Sequence, residues 1–193
     1  MKAICKIQGR SDFLLDLLAK IRQGDLAIQH GAPDELLLHS GGPQSDLAER
    51  SLLMGPAIRR YIVRQQPLQR TPVFGSPLRG EIDVQSNPLP IHIDVEDWEQ
   101  GWTNREVIIG TDLANGLRKL TDTLLPSTGE GFQAGGLAGL LTYDMVQHTE
   151  PLRLQNIPRE DSVLMILYRA DRWIIHNHIQ STIEVHSSIE SDD

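Results

Sequence analysis

The carboxy-terminal part of the chain carries the most restrictive pattern in the sequence, a nearly continuous run of β-forming residues from Ser162 to Ser187. Two β-rich stretches stand on either side of Ala170, Asp171 and Arg172. Strands joined by so short a connection pair antiparallel, so the spacing predicts a β-hairpin around these three residues. Whatever else the chain does, this region requires an antiparallel sheet.

Helical periodicity is present in two other segments. The stretch SDFLLDLLAKIRQGD predicts a helix with Ser11 as N-cap and Gly24 just past its end. A second helix is predicted to begin after Asp112 and to stop at Pro126, with apolar residues at helical spacing: Leu113, Leu117, Leu120 and Leu124. Because strands and helices do not alternate regularly, the sequence predicts an α+β fold. We expect a mainly antiparallel, sandwich-like β-sheet with two or three packed helices.

Further strands are predicted in AICKIQG, DELLLHSGG, RSLLMGPAIRRYIVRQ and PIHIDVEDW, the last with Ile91, Ile93 and Val95 on one face. Residues 66–90 are rich in proline and turn formers and predict an irregular excursion that includes the short strand GEIDV. A chain of 193 residues can bury one sizeable core. We therefore expect a single domain over residues 1–187, followed by a loose acidic tail at 188–193.

Charge and cysteine content narrow the classes of function. The net charge of −8 disfavours binding to nucleic acid or to anionic membranes. The basic stretch RRYIVRQQPLQR, Arg59 to Arg70, is interpreted as a strand with solvated arginines. Cys5, the single cysteine, cannot form an internal disulfide and suits a reducing compartment. No apolar run reaches the roughly 20 residues that span a bilayer, and the amino end does not resemble a secretion signal, so we expect a cytoplasmic protein.

A glycine-rich stretch, STGEGFQAGGLAGLLTYDMVQHTEPL, raises the question of phosphate binding. Within it GEGFQA matches the dinucleotide fingerprint G-x-G-x-x-G/A, but that fingerprint needs a strand before it and a helix after it. Here a helix precedes and more glycines follow, and no Gly-Lys-Ser/Thr is present. The favoured interpretation is that Gly135, Gly136 and Gly139 allow close approach of neighbouring backbone.

The histidines near the carboxyl end raise the alternative of a metal site. Residues two apart on a strand point to the same face, so the sequence predicts a common face for His176, His178 and His186. His176 and His178 could bind a metal, but the sequence assigns neither a third ligand nor partners that would orient the ligating rings, so a solvated strand face is favoured. Glu96 and Asp97 are adjacent on a strand and face opposite ways, which makes them poor acid–base partners. The residues define no catalytic constellation.

The stretch GGLAGLLTYDMVQHTEPL, followed by DSVLMILYRADRWIIHNHIQSTIEVHS, resembles the amino-terminal region of anthranilate synthase component I and of its relative, aminodeoxychorismate synthase component I. The residues that keep the family pattern are Gly135, Gly136, Gly139, Tyr143, Asp144, Glu150, Pro151 and Leu152. Upstream, ELLLHSGGPQSDLAERSLLMG is similar to a hairpin of that family, with Ser40, Arg50 and Gly55 at matching positions. The resemblance covers about residues 25–187.

This resemblance implies a scaffold and regulatory domain of an enzyme that converts chorismate and ammonia into anthranilate and pyruvate. The catalytic residues, Mg²⁺ ligands and chorismate site would belong to a larger carboxy-terminal domain that this chain lacks, and a glutamine amidotransferase subunit would supply ammonia. This chain would itself hold no cofactor and no catalytic residue. In regulated members of the family, the hairpin serine helps to hold tryptophan, which nominates Leu38, Ser40 and Arg50 as effector-binding residues.

Some positions depart from the family pattern: His39 replaces glutamate, Leu140 and Thr142 replace tyrosine and glycine, and VQHT replaces VRYF. Two alternatives stay open, an aminodeoxychorismate synthase domain and a stand-alone binding or regulatory protein of the same fold. If a catalytic domain normally covers part of the surface, the isolated chain should expose an apolar face and either self-associate or bind a partner.

Overall fold

The computed structural model describes residues 2–6, 12–23, 36–39, 49–66, 89–123, 137–149 and 162–187. In these residues the strands are β1 Lys2–Lys6, β2 Leu36–Leu38, β3 Arg50–Met54, β4 Ala57–Gln65, β5 Ile91–Trp98, β6 Trp102–Gly110, β7 Leu137–Leu141, β8 Val163–Ala170, β9 Arg172–Asn177 and β10 Thr182–Ser187. The helices are α1 Phe13–Arg22, α2 Leu113–Thr123 and the short α3 Val146–Thr149, which follows a 3₁₀ turn at Tyr143–Met145. The predicted α+β fold with mainly antiparallel sheet is confirmed.

The strands form two five-stranded sheets in which every pair is antiparallel. Sheet A has the order β1-β10-β9-β3-β2, and sheet B has the order β6-β5-β4-β8-β7. Two pairs of consecutive strands, β3–β4 and β8–β9, pass from one sheet into the other and pair with each other on both sides of the bend. At the bend the amide of Gly55 donates to the carbonyl of Arg172 at 2.9 Å. The two sheets therefore share one continuous two-stranded ribbon.

The predicted hairpin around Asp171 is wrong. Strands β8 and β9 lie in different sheets, and β9 instead pairs with β10. The turn that joins β9 to β10 lies within what looks like a single β-rich run. Asn177 Oδ1 accepts a hydrogen bond from the amide of Gln180 at 2.9 Å, and Ser181 adopts a positive φ of 50°. An Asx-type bond and a left-handed residue thus turn the chain without glycine or proline.

The predicted strand RSLLMGPAIRRYIVRQ is likewise divided. It forms β3 in sheet A and β4 in sheet B, and the division falls at Gly55 and Pro56. Proline has no amide hydrogen to donate to a neighbouring strand, so the ladder is interrupted where the ribbon bends. A small apolar cluster fills this junction with side chains from both sheets: Met54, Ala57, Ala170 and Trp173.

The larger apolar core lies between sheet B and α2. The predicted alternation of β5 is confirmed, since Ile91, Ile93 and Val95 are all buried. They pack with Leu113 and Leu120 of α2 in one cluster, against which Leu117 is partly buried. Leu124 and Pro126 lie outside the described residues.

Helix α2 begins as predicted and runs very close to β6. The side chain of Asp112 accepts a hydrogen bond from the amide of Asn115 at 2.7 Å, which is an N-cap. This bond is the main reason why the pKa of Asp112 is lowered. A Cβ on Gly110 would lie 2.7 Å from the Cα of Gly116, so glycines at the crossing allow the close contact.

Helix α1 lies against β3 and buries Leu14. Its N-cap is Asp12 rather than the predicted Ser11, and Asp12 makes no side-chain capping bond. Ser11, Gly24, the predicted strand GEIDV and the tail at 188–193 lie outside the described residues. No helix in the described part of the chain is long and apolar enough to cross a membrane.

Candidate functional site

Two of the predicted effector residues, Leu38 and Arg50, lie at one end of sheet A. Leu38 is the last residue of β2 and pairs with Leu52 of β3, two residues beyond Arg50. Because opposed residues of an antiparallel pair share a face, Leu38, Leu52 and Arg50 point to the same side of the sheet. Leu38 and Arg50 are both exposed there. Ser40, the third predicted effector residue, lies outside the described residues.

The opposite face of the same strand end carries a cluster of which the sequence predicts only that His176 and His178 share a face. It consists of Ser51 on β3, His39 directly after β2, His176 on β9 and His178 in the turn after β9. Ser51 Oγ lies 2.7 Å from His178 Nε2 and 3.3 Å from His39 Nδ1. The ring centroids of His176 and His178 are 4.2 Å apart, and those of His39 and His178 are 6.3 Å apart.

Burial differs across this histidine cluster. Ser51 has no exposed surface and His176 is 3% exposed, whereas His39 is exposed. Burial lowers the pKa of His176 and of His178, because an imidazolium is poorly solvated inside a protein. The neighbouring histidines lower both further, since like charges repel. Burial and the neighbouring rings therefore both favour the neutral imidazole at His176 and at His178.

The predicted common face holds for His176 and His178, whose rings are adjacent, but it is wrong for His186. His186 lies on β10 opposite Trp173, and His176 lies on β9 opposite Ile183, so the two histidines point to opposite faces. His186 pairs with Glu184 at 3.1 Å and is separate from the cluster. Within the described residues no group of three His, Cys, Asp or Glu side chains is placed to hold a metal ion.

The predicted structural motif lies elsewhere, at β7 on the edge of sheet B. A Cβ built on Gly139 would overlap the carbonyl oxygen of Ile166 on β8, so this position has no room for a side chain. At Gly139 the glycine therefore serves close backbone packing, as predicted. Gly135 and Gly136 lie outside the described residues. Tyr143 and Asp144 form the 3₁₀ turn that follows β7.

Thr142, which departs from the family pattern, has a structural role at this turn. Its hydroxyl lies 3.1 Å from the carbonyl oxygens of Val163 and Leu164, and its amide donates to Leu164 at 2.9 Å. These bonds hold the end of β7 to β8. His148 lies in the VQHT segment, which also departs from the family pattern, and burial lowers the pKa of its imidazole.

Large apolar side chains remain exposed along this edge. Leu140 is 63% exposed, Leu141 57% and Tyr143 78%. Consecutive strand residues point to opposite faces, so Leu140 and Leu141 expose apolar surface on both sides of β7. Three such residues within four positions form a surface that suits contact with another protein. We call Leu140, Leu141 and Tyr143 the β7 apolar edge.

The basic stretch of β4 is not a set of solvated arginines. Arg59, Arg60 and Arg64 are half-buried, and each pairs with a carboxylate of β5. Arg59 binds Asp97 with both Nε and Nη2, and the adjacent Arg60 binds Glu96 on the other face. These bonds raise the pKa of Arg59 and lower that of Asp97. The arginines of β4 are therefore neutralised within the sheet.

No protein-family model and no curated protein matches the sequence.

Proposed function

We propose that the chain is the amino-terminal scaffold and effector-binding domain of an enzyme similar to anthranilate synthase component I. The observation that carries the proposal is the β7 apolar edge. It lies in the segment in which the resemblance is strongest, and a domain that packs on a partner must offer such a surface. The partner is the chorismate-binding catalytic domain.

The positions of the pattern residues support this assignment. Gly139 tolerates no side chain, which agrees with a structural role for the glycine-rich segment. Leu38 and Arg50 share one face at the end of sheet A, where an apolar side chain and a cation could receive the ring and the carboxylate of an amino acid. Tryptophan is the effector that the resemblance nominates, with Ser40 as the third contact.

The chemistry would belong to the catalytic domain. That domain would supply the Mg²⁺ ligands and the groups that act on chorismate, and a glutamine amidotransferase subunit would deliver ammonia. This chain would contribute no cofactor ligand. Chorismate metabolism and the single cysteine both suit the cytoplasm, which is the location we propose.

The decisive experiment mixes the chain with its cognate catalytic domain. We expect association at micromolar concentration in sedimentation, and Leu141→Ser or Tyr143→Ser should weaken it about tenfold or more by removing apolar contact area. Ile109→Ser is the matched control, because Ile109 is 58% exposed on β6 at the opposite edge of sheet B. No association, or equal weakening by all three variants, would contradict the proposed docking surface.

Activity and effector binding complete the test. The isolated chain should produce no fluorescent anthranilate from chorismate, ammonia and Mg²⁺, and turnover by the pure chain would remove the scaffold role. In the joined enzyme, calorimetry should detect tryptophan binding that Arg50→Ala and Ser40→Ala weaken. Aminodeoxychorismate as the product would assign the same domain to the alternative branch. Failure to bind any catalytic domain would favour a stand-alone binding protein.

A further inference from the structure

One buried hydroxyl joins three segments of sheet A. Ser51 lies on β3, and its Oγ contacts His39, which follows β2, and His178, which follows β9. In the described part of the chain, β2 pairs with β3 at Leu36–Leu38. The side-chain contact of His39, just beyond Leu38, adds to this backbone pairing.

The hydroxyl suits two neutral imidazoles. A serine hydroxyl carries one proton, so it can donate to one ring nitrogen while it accepts from the N–H of the other. When the rings of His39 and His178 are both protonated, each ring points an N–H group at the same Ser51 oxygen. The hydroxyl proton then has no ring nitrogen to which it can donate. Two positive charges then also stand close together around a buried oxygen.

The third ring increases the cost of protonation. His176 is buried with its centroid 4.2 Å from that of His178, and in the described part of the chain its Nδ1 has no hydrogen-bond partner. A charge on either ring raises the energy of a charge on the other. The lowered pKa values of His176 and His178 agree with this geometry.

Glu49 is one carboxylate close to the cluster, since its carbonyl accepts a hydrogen bond from the amide of His178 at 2.9 Å. Among the residues whose side chains are described, the charged and titratable groups of the elements around the cluster are Glu49 and Arg50 at β3, Asp12, Asp16, Lys20 and Arg22 of α1, and Glu184 and His186 of β10. Glu184 and His186 pair with each other on the opposite face of the sheet. Arg50 also faces the opposite side. No ion pair joins a described carboxylate to His39, His176 or His178.

We propose that Ser51, His39 and His178 form an acid-sensitive latch. At neutral pH it holds the end of β2 and the β9–β10 turn against β3. When the histidines are protonated, the contacts around Ser51 separate and the end of β2 is released. The latch depends on the geometry of the cluster alone and stands whether or not the chain belongs to a chorismate-using enzyme.

Amide hydrogen exchange on the full chain tests the latch. After correction for the intrinsic pH dependence of exchange, amides of Leu36–His39 and His178–Ser181 should exchange about tenfold faster at pH 5.5 than at pH 7.5. Amides of β4 and β5 should change less than about twofold, because their polar side chains are paired by arginine and carboxylate. Equal exchange of the latch segments at both pH values would overturn the proposal.

Variants separate the latch from a general effect of acid. His39→Gln removes one imidazole from the cluster at an exposed position and should abolish most of the acceleration at pH 5.5. Ser51→Ala should give fast exchange of the β2 end at both pH values. His92→Gln, which removes an imidazole 3.9 Å from Asp94 on sheet B, is the control and should keep the wild-type response. A full response in His39→Gln would also overturn the latch, even if Ser51→Ala did not fold.

Discussion

Sheets A and B place polar side chains among buried strands in different ways. On sheet B, arginines of β4 lie beside carboxylates of β5, so opposite charges compensate each other across one strand pair. At the end of sheet A, Ser51 and three histidines are close together, and no described carboxylate forms an ion pair with these histidines. This arrangement favours the neutral imidazoles of His176 and His178.

Because of this difference, we expect the two sheets to lose stability in different pH ranges. The pKa of Asp97 is lowered in the folded protein, chiefly by its hydrogen bond to Arg59. Its contribution to stability is therefore present above the ordinary carboxyl pKa of about 4 and is lost as the pH falls through the lower folded value. The folded pKa values of His176 and His178 are also lowered, so their contribution is present above the ordinary imidazole pKa of about 6.5 and is lost as the pH falls below it. This loss begins at a higher pH than the loss from Asp97.

The largest effect should come from the apolar core beneath the ion pairs. Ile93 has no exposed surface and packs between sheet B and α2. Ile93→Ala should lower the free energy of unfolding by about 3 kcal/mol, through lost transfer energy and the cavity that remains. Urea unfolding measures it, and Ile109→Ala on the neighbouring strand should cost less than about 0.5 kcal/mol. Similar losses in both variants would mean that α2 does not cover β5.

The sequence predicts this core well because it follows from local periodicity. The alternation of β5 and the leucine spacing of α2 each lie within one segment, and Asp112 caps its own helix. Strand β6 is not predicted, because Thr103–Glu106 near its start are polar and exposed at a sheet edge. A strand at the edge of a sheet can carry polar residues on both faces, so it lacks the alternation by which a strand is recognised.

Long-range pairing is the part that local patterns do not contain. The β8–β9 hairpin prediction fails because Asp171 marks a bend between two sheets, while the true turn at 178–181 is built by Asn177 and Ser181. The contact of Ser51 with His178 depends on the β3–β9 register, which joins residues 127 positions apart. Leu38 and Arg50 could be nominated as site residues from the resemblance, but Ser51 and His178 could not.

Removing one ion pair should have a smaller effect than removing core volume. Asp97→Asn deprives Arg59 and Arg105 of a charged partner. These side chains are partly exposed and screened by solvent, so we expect a loss of about 1–2 kcal/mol at pH 7. The same chemical change at the more exposed Glu99, Glu99→Gln, should cost less than about 0.5 kcal/mol. If Asp97→Asn were neutral, the ion pairs of sheet B would contribute specificity rather than stability.

The smallest effect at neutral pH should come from the histidine cluster, and it should change sign with pH. His178→Gln keeps a side chain that can hydrogen-bond Ser51 and removes a titrating group, so at pH 8 the loss should be below about 1 kcal/mol. Because the folded pKa of His178 is lowered, the unfolded wild-type chain binds more protons below pH 6.5, and acid destabilises the wild type more than the variant. Unfolding midpoints in urea measured from pH 8 to pH 5 should therefore converge and then cross, with the variant the more stable protein at the acid end.

The control is His92→Gln on sheet B, whose unfolding midpoints should stay parallel to those of the wild type over the same pH range. Parallel curves for His178→Gln as well would show that the cluster is not the acid-sensitive element and would remove the contrast between the two sheets.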